Sequence, residues 1–266
     1  MRGYWAVFRM RFISSAQHRI VAFSRVFTCS LWGVLSVLAY SAFYRANPEA
    51  FPMTLSQTVS YMWLREAFAV LFSVVYTADR EIESALVNGS VAYELVRPFD
   101  LYTQWFFRMC AGRFSPTMLL SVFTVAFLFP APYGLSLPPD ISQLLLFLPS
   151  VILAFGVTVS FSILMYISMF YTTSYGGIKV MLIAVTDVFT GAVVPLPFYP
   201  APVRALLEKL PFAAMHNMPL RIYNGNIAGI DALKGILLQI FWLTLLIAAG
   251  KYLMGRALRK VIVQGG

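Results

Sequence analysis

Apolar positions along the chain gather into long runs instead of alternating with polar ones. Residues 26–44 carry no charge. As a helix these nineteen residues reach roughly 28 Å, against a hydrocarbon core of about 30 Å. Arg45, Asn47, Pro48 and Pro52 end that run. A second run covers about 58–78 and holds Arg65 and Glu66, and a third covers about 114–129, after Arg108 and Arg113. The proline-rich turn PAPYGLSLPPD follows. Residues 141–178 then carry no charge at all, too long a stretch for one straight crossing. It divides into a fourth span near 144–171 and a tight turn at TTSYGG, after which Lys179 opens a fifth span running to about 194. The sixth span is about 235–254. The pattern predicts an all-α polytopic membrane protein with six transmembrane helices. Ahead of them, in residues 1–25, five arginines are interspersed with Tyr4, Trp5, Phe8, Phe12, Ile13 and Ile20. This spacing predicts an amphipathic helix in the membrane interface, with its arginines among the headgroups. The basic region is too long for a cleavable signal peptide.

Two stretches break the apolar pattern. In 81–98, Ile82, Ala85 and Leu86 share one short helical face, and Glu81 and Glu83 sit in the first turn, where the helix dipole favours anions. Asn88-Gly89 is a stop signal, because glycine accepts the left-handed cap conformation. A second short apolar run, 91–96, ends at Pro98, and Arg97 before that proline is biased away from helix. The result is a compact ledge: helix, break, second short element, rigid exit. The other stretch is 195–222, where prolines at 195, 197, 200, 202, 211 and 219 exclude one continuous spanning helix. Within it PVRALLEKL places Val203, Leu206, Leu207 and Leu210 at helical spacing. This predicts an amphipathic helix on, or dipping into, the outer leaflet.

Composition agrees with lipid as the solvent. The chain is 59% hydrophobic and 12% charged, where a soluble domain carries about 25% charge. No linker or repeat divides it, so residues 1–266 are read as a single domain: an interfacial segment 1–25, six spans over 26–254 and a tail 255–266. Of its twenty Lys and Arg, fourteen fall on the side of the N-terminus, the ledge, Lys179 and the tail, and five on the other; Arg65 counts for neither. The bias puts both termini and the ledge in the cytoplasm. The basic residues flank apolar runs, so the positive charge does not point to nucleic acid. A cytoplasmic ledge also makes the glycosylation sequon Asn88-Gly89-Ser90 a coincidence. Cys29 and Cys110 are expected as free thiols, and neither His18 nor His216 has metal-ligand spacing. There is no GxxxxGK[ST] loop and no LSGGQ-like stretch, so the chain has no nucleotide-binding machinery of its own.

The string EIESALVNGSVAYELVRPFDLYTQW resembles the segment between the second and third spans of ABC-2 type permeases, and more closely that of the viologen exporter family. The shared features are Ile82, Gly89 and, after Leu95, Val96-Arg97-Pro98. A second stretch, GAVVPLPFYPAPVRALLEKLPFAAMHNMPLRIYNG at 191–225, resembles that family's segment after span five. The resemblance implies a permease subunit of an exporter in the bacterial plasma (inner) membrane, working as a dimer of identical or related permeases. A separate ATP-binding cassette subunit would carry ATP and Mg; this chain would bind no cofactor. The ledge would be a coupling helix, docking through Glu81, Ile82, Leu86 and Gly89. Arg97 and Pro98 would set its exit angle, unless Arg97 meets lipid headgroups. The N-terminal segment would be an elbow helix, and the piece before the last span a re-entrant helix capping the exit. The family's cargo points to drugs or viologen-like cations without fixing the molecule.

Charges within the spans are the candidates for cargo contact. Burying Arg65 or Glu66 alone costs about 2.5–3.5 kcal/mol. As sequence neighbours they are not expected to face each other. Either Arg65 snorkels outward or Glu66 faces a cationic substrate. Asp187, in the fifth span, either pairs with a Lys or Arg or receives cations. Tyr40, with Trp32, Phe43 and Tyr44, either stacks on a flat cation or faces lipid. Pro195 of the second match completes the pathway set. Two other classes compete. An ion-gradient-driven secondary transporter would use Glu66 and Asp187 as proton carriers, but the inverted repeat it usually shows is absent. An intramembrane enzyme would need a Ser-His pair, HExxH or paired aspartates within spans, none of which is present.

Overall fold

The computed structural model describes residues 2–16, 19–47, 49, 51–74, 80–96, 98–128, 134–172 and 175–259. His18, the end of the second apolar run, Arg97, the start of the proline-rich turn, part of TTSYGG and the end of the tail lie outside them. The described residues form helices and turns, with no strand among them. In chain order the helices are α1 (Arg2–Ala16), α2 (Arg19–Ala46), α3 (Leu55–Ala67), α4 (Arg80–Val87), α5 (Val91–Leu95), α6 (Leu101–Leu128), α7 (Ile141–Ser168) and α8 (Tyr175–Phe189). A 3-10 turn (Leu196–Phe198) leads to α9 (Ala201–Leu207), α10 (Pro211–Met215), α11 (Asn217–Tyr223) and α12 (Gly229–Leu258).

Three helices among the described residues are long and apolar enough to cross a membrane: Phe23–Ala46 within α2, α7 and α12. Helix α6 is as long as α7, at 28 residues. It starts well before the expected Phe114, because Asp100 caps it: the carboxylate accepts from Thr103 N at 2.9 Å and from its hydroxyl. Helices α3 and α8 have 13 and 15 residues. They reach only about 20 Å and 22 Å.

Helix α7 is the hub, packing against α6, α10, α11 and α12. Gln239 of α12 ties three of these together: it accepts from Ser150 of α7 at 2.9 Å and donates to the Ala214 carbonyl of α10 at 2.9 Å. Helix α3 is buried along nearly its whole length behind a capping box of Thr54 and Gln57. Helix α2 buries only a narrow stripe, Gly33, Val37, Ser41 and Tyr44, toward it. Much of the remainder, including Phe27, Leu31, Trp32 and Phe43, is exposed, as suits a helix facing lipid or another apolar chain.

Helix α1 lies along α6 through an aromatic seam: Tyr4 sits 5.2 Å from Phe99 and 5.8 Å from Phe107, and Phe12 lies 6.4 Å from Phe114. Its outward face mixes Trp5, Met10 and Ile13 with Arg9 and Ser14. Aromatic packing holds this helix to α6.

The second apolar run does not continue as one helix. It leaves α-geometry at Phe68 and proceeds in turns to residue 74. The freed carbonyls find partners from other helices. The buried Arg113 of α6 donates to Ser73 O at 2.7 Å and Val74 O at 3.3 Å, and Ser162 of α7 donates to Val74 O at 2.6 Å. Without such partners, backbone carbonyls in an apolar layer would each cost several kcal/mol.

Prolines divide 195–222 as expected. Pro195 precedes the 3-10 turn, Pro200 caps α9 and Pro211 opens α10. The amphipathic face expected for α9 is only partly used. Leu207 is buried, while Val203 and Leu206 stay exposed. Gly191 sits at φ +80° with its carbonyl accepting from Tyr61 Oη at 3.0 Å, which turns the chain out of α8.

The α2–α3 contact allows a direct check. A Cβ built at Gly33 would lie 2.2 Å from the Trp63 ring. Gly33→Val is expected to cost about 1–3 kcal/mol by overpacking, read as a lower unfolding temperature of the detergent-purified protein. An unchanged temperature would contradict this close approach.

Candidate functional site

Where the second run breaks, a cavity of about 620 Å³ opens. Its walls come from α2 (Trp32, Ser36), the end of α3 (Arg65, Glu66), the turns at 69–74, the C-terminal part of α8 (Thr186, Asp187) with Thr190 just after it, and His216 between α10 and α11. Two expected pathway residues, Glu66 and Asp187, thus share one chamber although more than a hundred positions separate them. The other two do not line it. Tyr40 lies one helical turn beyond Ser36, its ring 5.6 Å from Phe198, and Pro195 is buried at the start of the 3-10 turn.

Arg65 and Glu66 behave differently from the sequence expectation. They pair with each other, through Arg65 Nε at 3.1 Å and through Nη2 to the same carboxylate oxygen. Arg65 Nη1 also donates to Ala192 O at 2.7 Å and Nη2 to Ser36 Oγ at 3.1 Å. Neighbours on a helix normally diverge. Here the helix ends one residue later, so no following turn keeps the guanidinium from folding back over the carboxylate. Arg65 therefore does not snorkel outward. It knots α2, α3 and the segment after α8 together and cancels the charge of Glu66.

Asp187 has no ion-pair partner among the described residues. Its backbone carbonyl accepts from Val193 N at 3.2 Å, while its side chain is exposed at the cavity. With Arg65 and Glu66 neutralising each other, Asp187 is the one uncompensated charge among the described residues that line the chamber. Sequence reasoning missed the polar groups around it: Ser36, Ser73, Thr186, Thr190 and His216. Thr186 and Thr190 repeat at i and i+4 around Asp187, which was a readable signal. Among the described residues no cluster of His, Cys, Asp and Glu could hold a metal ion, and both cysteines are free thiols.

The ledge forms a second locus. Helix α4, Gly89 at φ +70° and α5 follow the expected helix–break–helix order. Its acids are engaged within the chain. Glu81 receives Arg11 of α1 and, at 2.7 Å, Arg108 of α6. Arg108 also reaches Glu94 at 2.8 Å, where Trp105 Nε1 donates at 2.8 Å. Lys179 of α8 holds Glu83 at 2.7 Å. Partial burial, and then the nearby Arg108, hold the Arg11 guanidinium below its usual range.

The apolar face of the ledge is turned inward. Ile82 is 1% exposed and packs with Val91, Trp105 and Met109; Leu86 is half-buried against them. This corrects the expectation that Ile82 is presented to a partner, because helical spacing tells which residues share a face and not what that face meets. The outward surface is Val87, Asn88, Gly89, Tyr93 and Val96, with Pro98 exposed at the exit.

Apolar crossings, a polar chamber at a broken helix and a fastened ledge are the parts of a membrane-embedded permease. A family model described as ABC-2 family transporter protein matches residues 30–265. The chain belongs to the ABC-2 transporter family. Neither the curated proteins nor the solved structures yield a match. The chain is therefore an ABC-type permease located in a membrane.

The Arg65–Glu66 knot makes a sharp forecast. Arg65→Met strands a buried carboxylate and is expected to destabilise by about 3–5 kcal/mol. Adding Glu66→Gln should recover most of that loss in a double-mutant cycle of thermal unfolding. Additive losses would mean the two side chains do not pair.

Proposed function

We infer that this permease is one half of a dimeric exporter with six crossings per half and both termini in the cytoplasm of a bacterial inner membrane. A separate ATP-binding cassette subunit supplies ATP hydrolysis, with Mg on that subunit and no nucleotide site here. The cargo path runs through the chamber beside Asp187, whose negative charge favours organic cations, in keeping with the resemblance to viologen exporters. Glu66 then serves as the counter-charge of Arg65, Asp187 as the cation contact, and Tyr40 and Pro195 as the path beyond the chamber.

The observation that carries this reading is the fastening of the ledge. It is tied by ion pairs to α1, α6 and α8, and α8 is also a wall of the chamber. A displacement of the ledge by a closing ATPase therefore reaches the cargo path through Glu83–Lys179. Docking would use the outward surface around Gly89, with Val87 and Tyr93. Glu81, Ile82 and Leu86 would serve docking indirectly, by fixing the ledge to the bundle, while Arg97 and Pro98 set its exit. Nucleotide shifts the equilibrium between inward and outward states only through its different binding energy in the two, and a fastened ledge conveys that difference.

Proteoliposomes of the permease with its ATPase test this. Glu83→Lys and Lys179→Glu are each expected to lower ATP-driven export of an organic cation by about fivefold or more, since a partly buried pair contributes on the order of 1 kcal/mol and reversal adds repulsion. The doubly exchanged protein should regain most of it. Export that needs no ATP would overturn the exporter reading, and full activity in both single variants would overturn the route through Lys179.

A further inference from the structure

Another cavity, of about 560 Å³, lies between the end of α9, α11 and the first turns of α12. Met218, Ile227 and Leu238 give it an apolar wall. Helix α12 meets α11 closely there, since a Cβ built at Gly235 would lie 2.3 Å from Met218 Sδ. Five charged residues also line it: Glu208, Lys209, Arg221, Asp231 and Lys234. Four of them pair off. Arg221 Nη1 donates to Glu208 at 2.5 Å, and Lys234 meets Asp231 at 2.8 Å. Lys209 is exposed and has no ion-pair partner among the described residues. The described lining residues therefore leave an excess of positive charge.

Further donors stand ready beside Lys209. Arg221 spends Nε on Asn226 at 2.6 Å and Nη1 on Glu208, while its Nη2 has no hydrogen-bond partner among the described residues. Lys234 and Asp231 have side chains 68% and 69% exposed, so theirs is a weak surface pair that another anion can enter. A guanidinium and two ammonium groups on one cavity suit the oxygens of a phosphate. The depth of the cavity says what carries that phosphate. Helix α12 is long and apolar enough to cross a membrane. Its exposed surface changes from Asp231 and Lys234 to Leu237, Ile240 and Phe241. Trp242 Nε1 donates to Lys209 O at 3.0 Å, and tryptophan is enriched where headgroups meet acyl chains.

We propose that this cavity binds a phospholipid through its phosphate. Lys209, Lys234 and Arg221 Nη2 take the phosphate oxygens, and the acyl chains run along α12 over Leu237 and Phe241. The lipid joins the divided segment after α8 to the last crossing, whatever the cargo is. A free phosphate meets the same donors but gains nothing from the apolar wall, whereas a lipid buries its first methylenes there.

The test uses the delipidated full permease in detergent, with dioleoylphosphatidylglycerol as the probe. Dioleoylglycerol, which has the same chains without the phosphate, is its control. Native mass spectrometry reads the bound fraction at each lipid concentration. The phospholipid is expected to bind about tenfold or more tightly than the control. Lys209→Gln with Lys234→Gln should weaken the phospholipid about fivefold or more and leave the control unchanged. Lys209→Arg with Lys234→Arg, which keeps the charges, should retain the preference. Lys251→Gln, toward the other end of α12, should change nothing. Equal binding of the two lipids would overturn the recognition of phosphate. Phospholipid binding that is weakened no more by Lys209→Gln with Lys234→Gln than by Lys251→Gln would overturn the placement at this cavity. Displacement of the phospholipid by inorganic phosphate at modest excess would show a site for the free anion and overturn the lipid as its occupant.

Discussion

A backbone that leaves its helix inside an apolar layer must find new hydrogen-bond partners, and the rest of this structure depends on how that is met after Ala67. The carbonyls of Ser73 and Val74 are taken up by Arg113 from α6 and Ser162 from α7. A guanidinium suits the task, because its donors fan out in a plane and its charge strengthens each bond. The cost of burying that charge is offset by carbonyl dipoles that would otherwise be unpaired. Because α3 stops where it does, Arg65 can fold back on Glu66 and a chamber forms between α2, α3 and α8. A continuous helix through 68–78 would place side chains where the turns at 69–74 now form the chamber wall.

The same economy of charge governs the ledge. Its three acids, Glu81, Glu83 and Glu94, each meet a basic residue from another helix, and its apolar face rests on Trp105. Ion pairs at this degree of exposure add little stability singly. As a network they fix the orientation of a short helix that could not hold itself, since isolated helices of this length are marginal in water. In the proposed exporter this turns a loop into a lever whose movement is shared by α1, α6 and α8.

Much of this was legible in the sequence where local chemistry decides the outcome. Gly89, the first-turn acids and Pro98 marked the ledge, prolines marked the divided segment after α8, and unbroken apolar runs marked α2, α7 and α12. The resemblance around Ile82–Pro98 and Gly191–Gly225 gave the family that the match over residues 30–265 shows. The break at Phe68 was not legible, because AVLFSVVY contains neither glycine nor proline and its partners lie about 40 and 90 positions away. The Arg65–Glu66 pair was missed because a rule for helix interiors was applied at a helix end. Ile82 was assigned to the right face with the wrong neighbour. His216 was weighed only as a metal ligand, although the polar pair His216-Asn217 within the apolar run PFAAMHNMPL was itself a signal.

The central claim is that the break at 68–74 exposes a polar chamber within the membrane. The direct measurement is cysteine labelling in native membranes, on a background with Cys29→Ser and Cys110→Ser, by the water-soluble cation 2-(trimethylammonium)ethyl methanethiosulfonate. Ala69→Cys and Ser73→Cys, on the chamber wall, should react, while Leu145→Cys, exposed on the apolar outer face of α7, should not. Positions 69 and 73 as inert as position 145 would contradict the account.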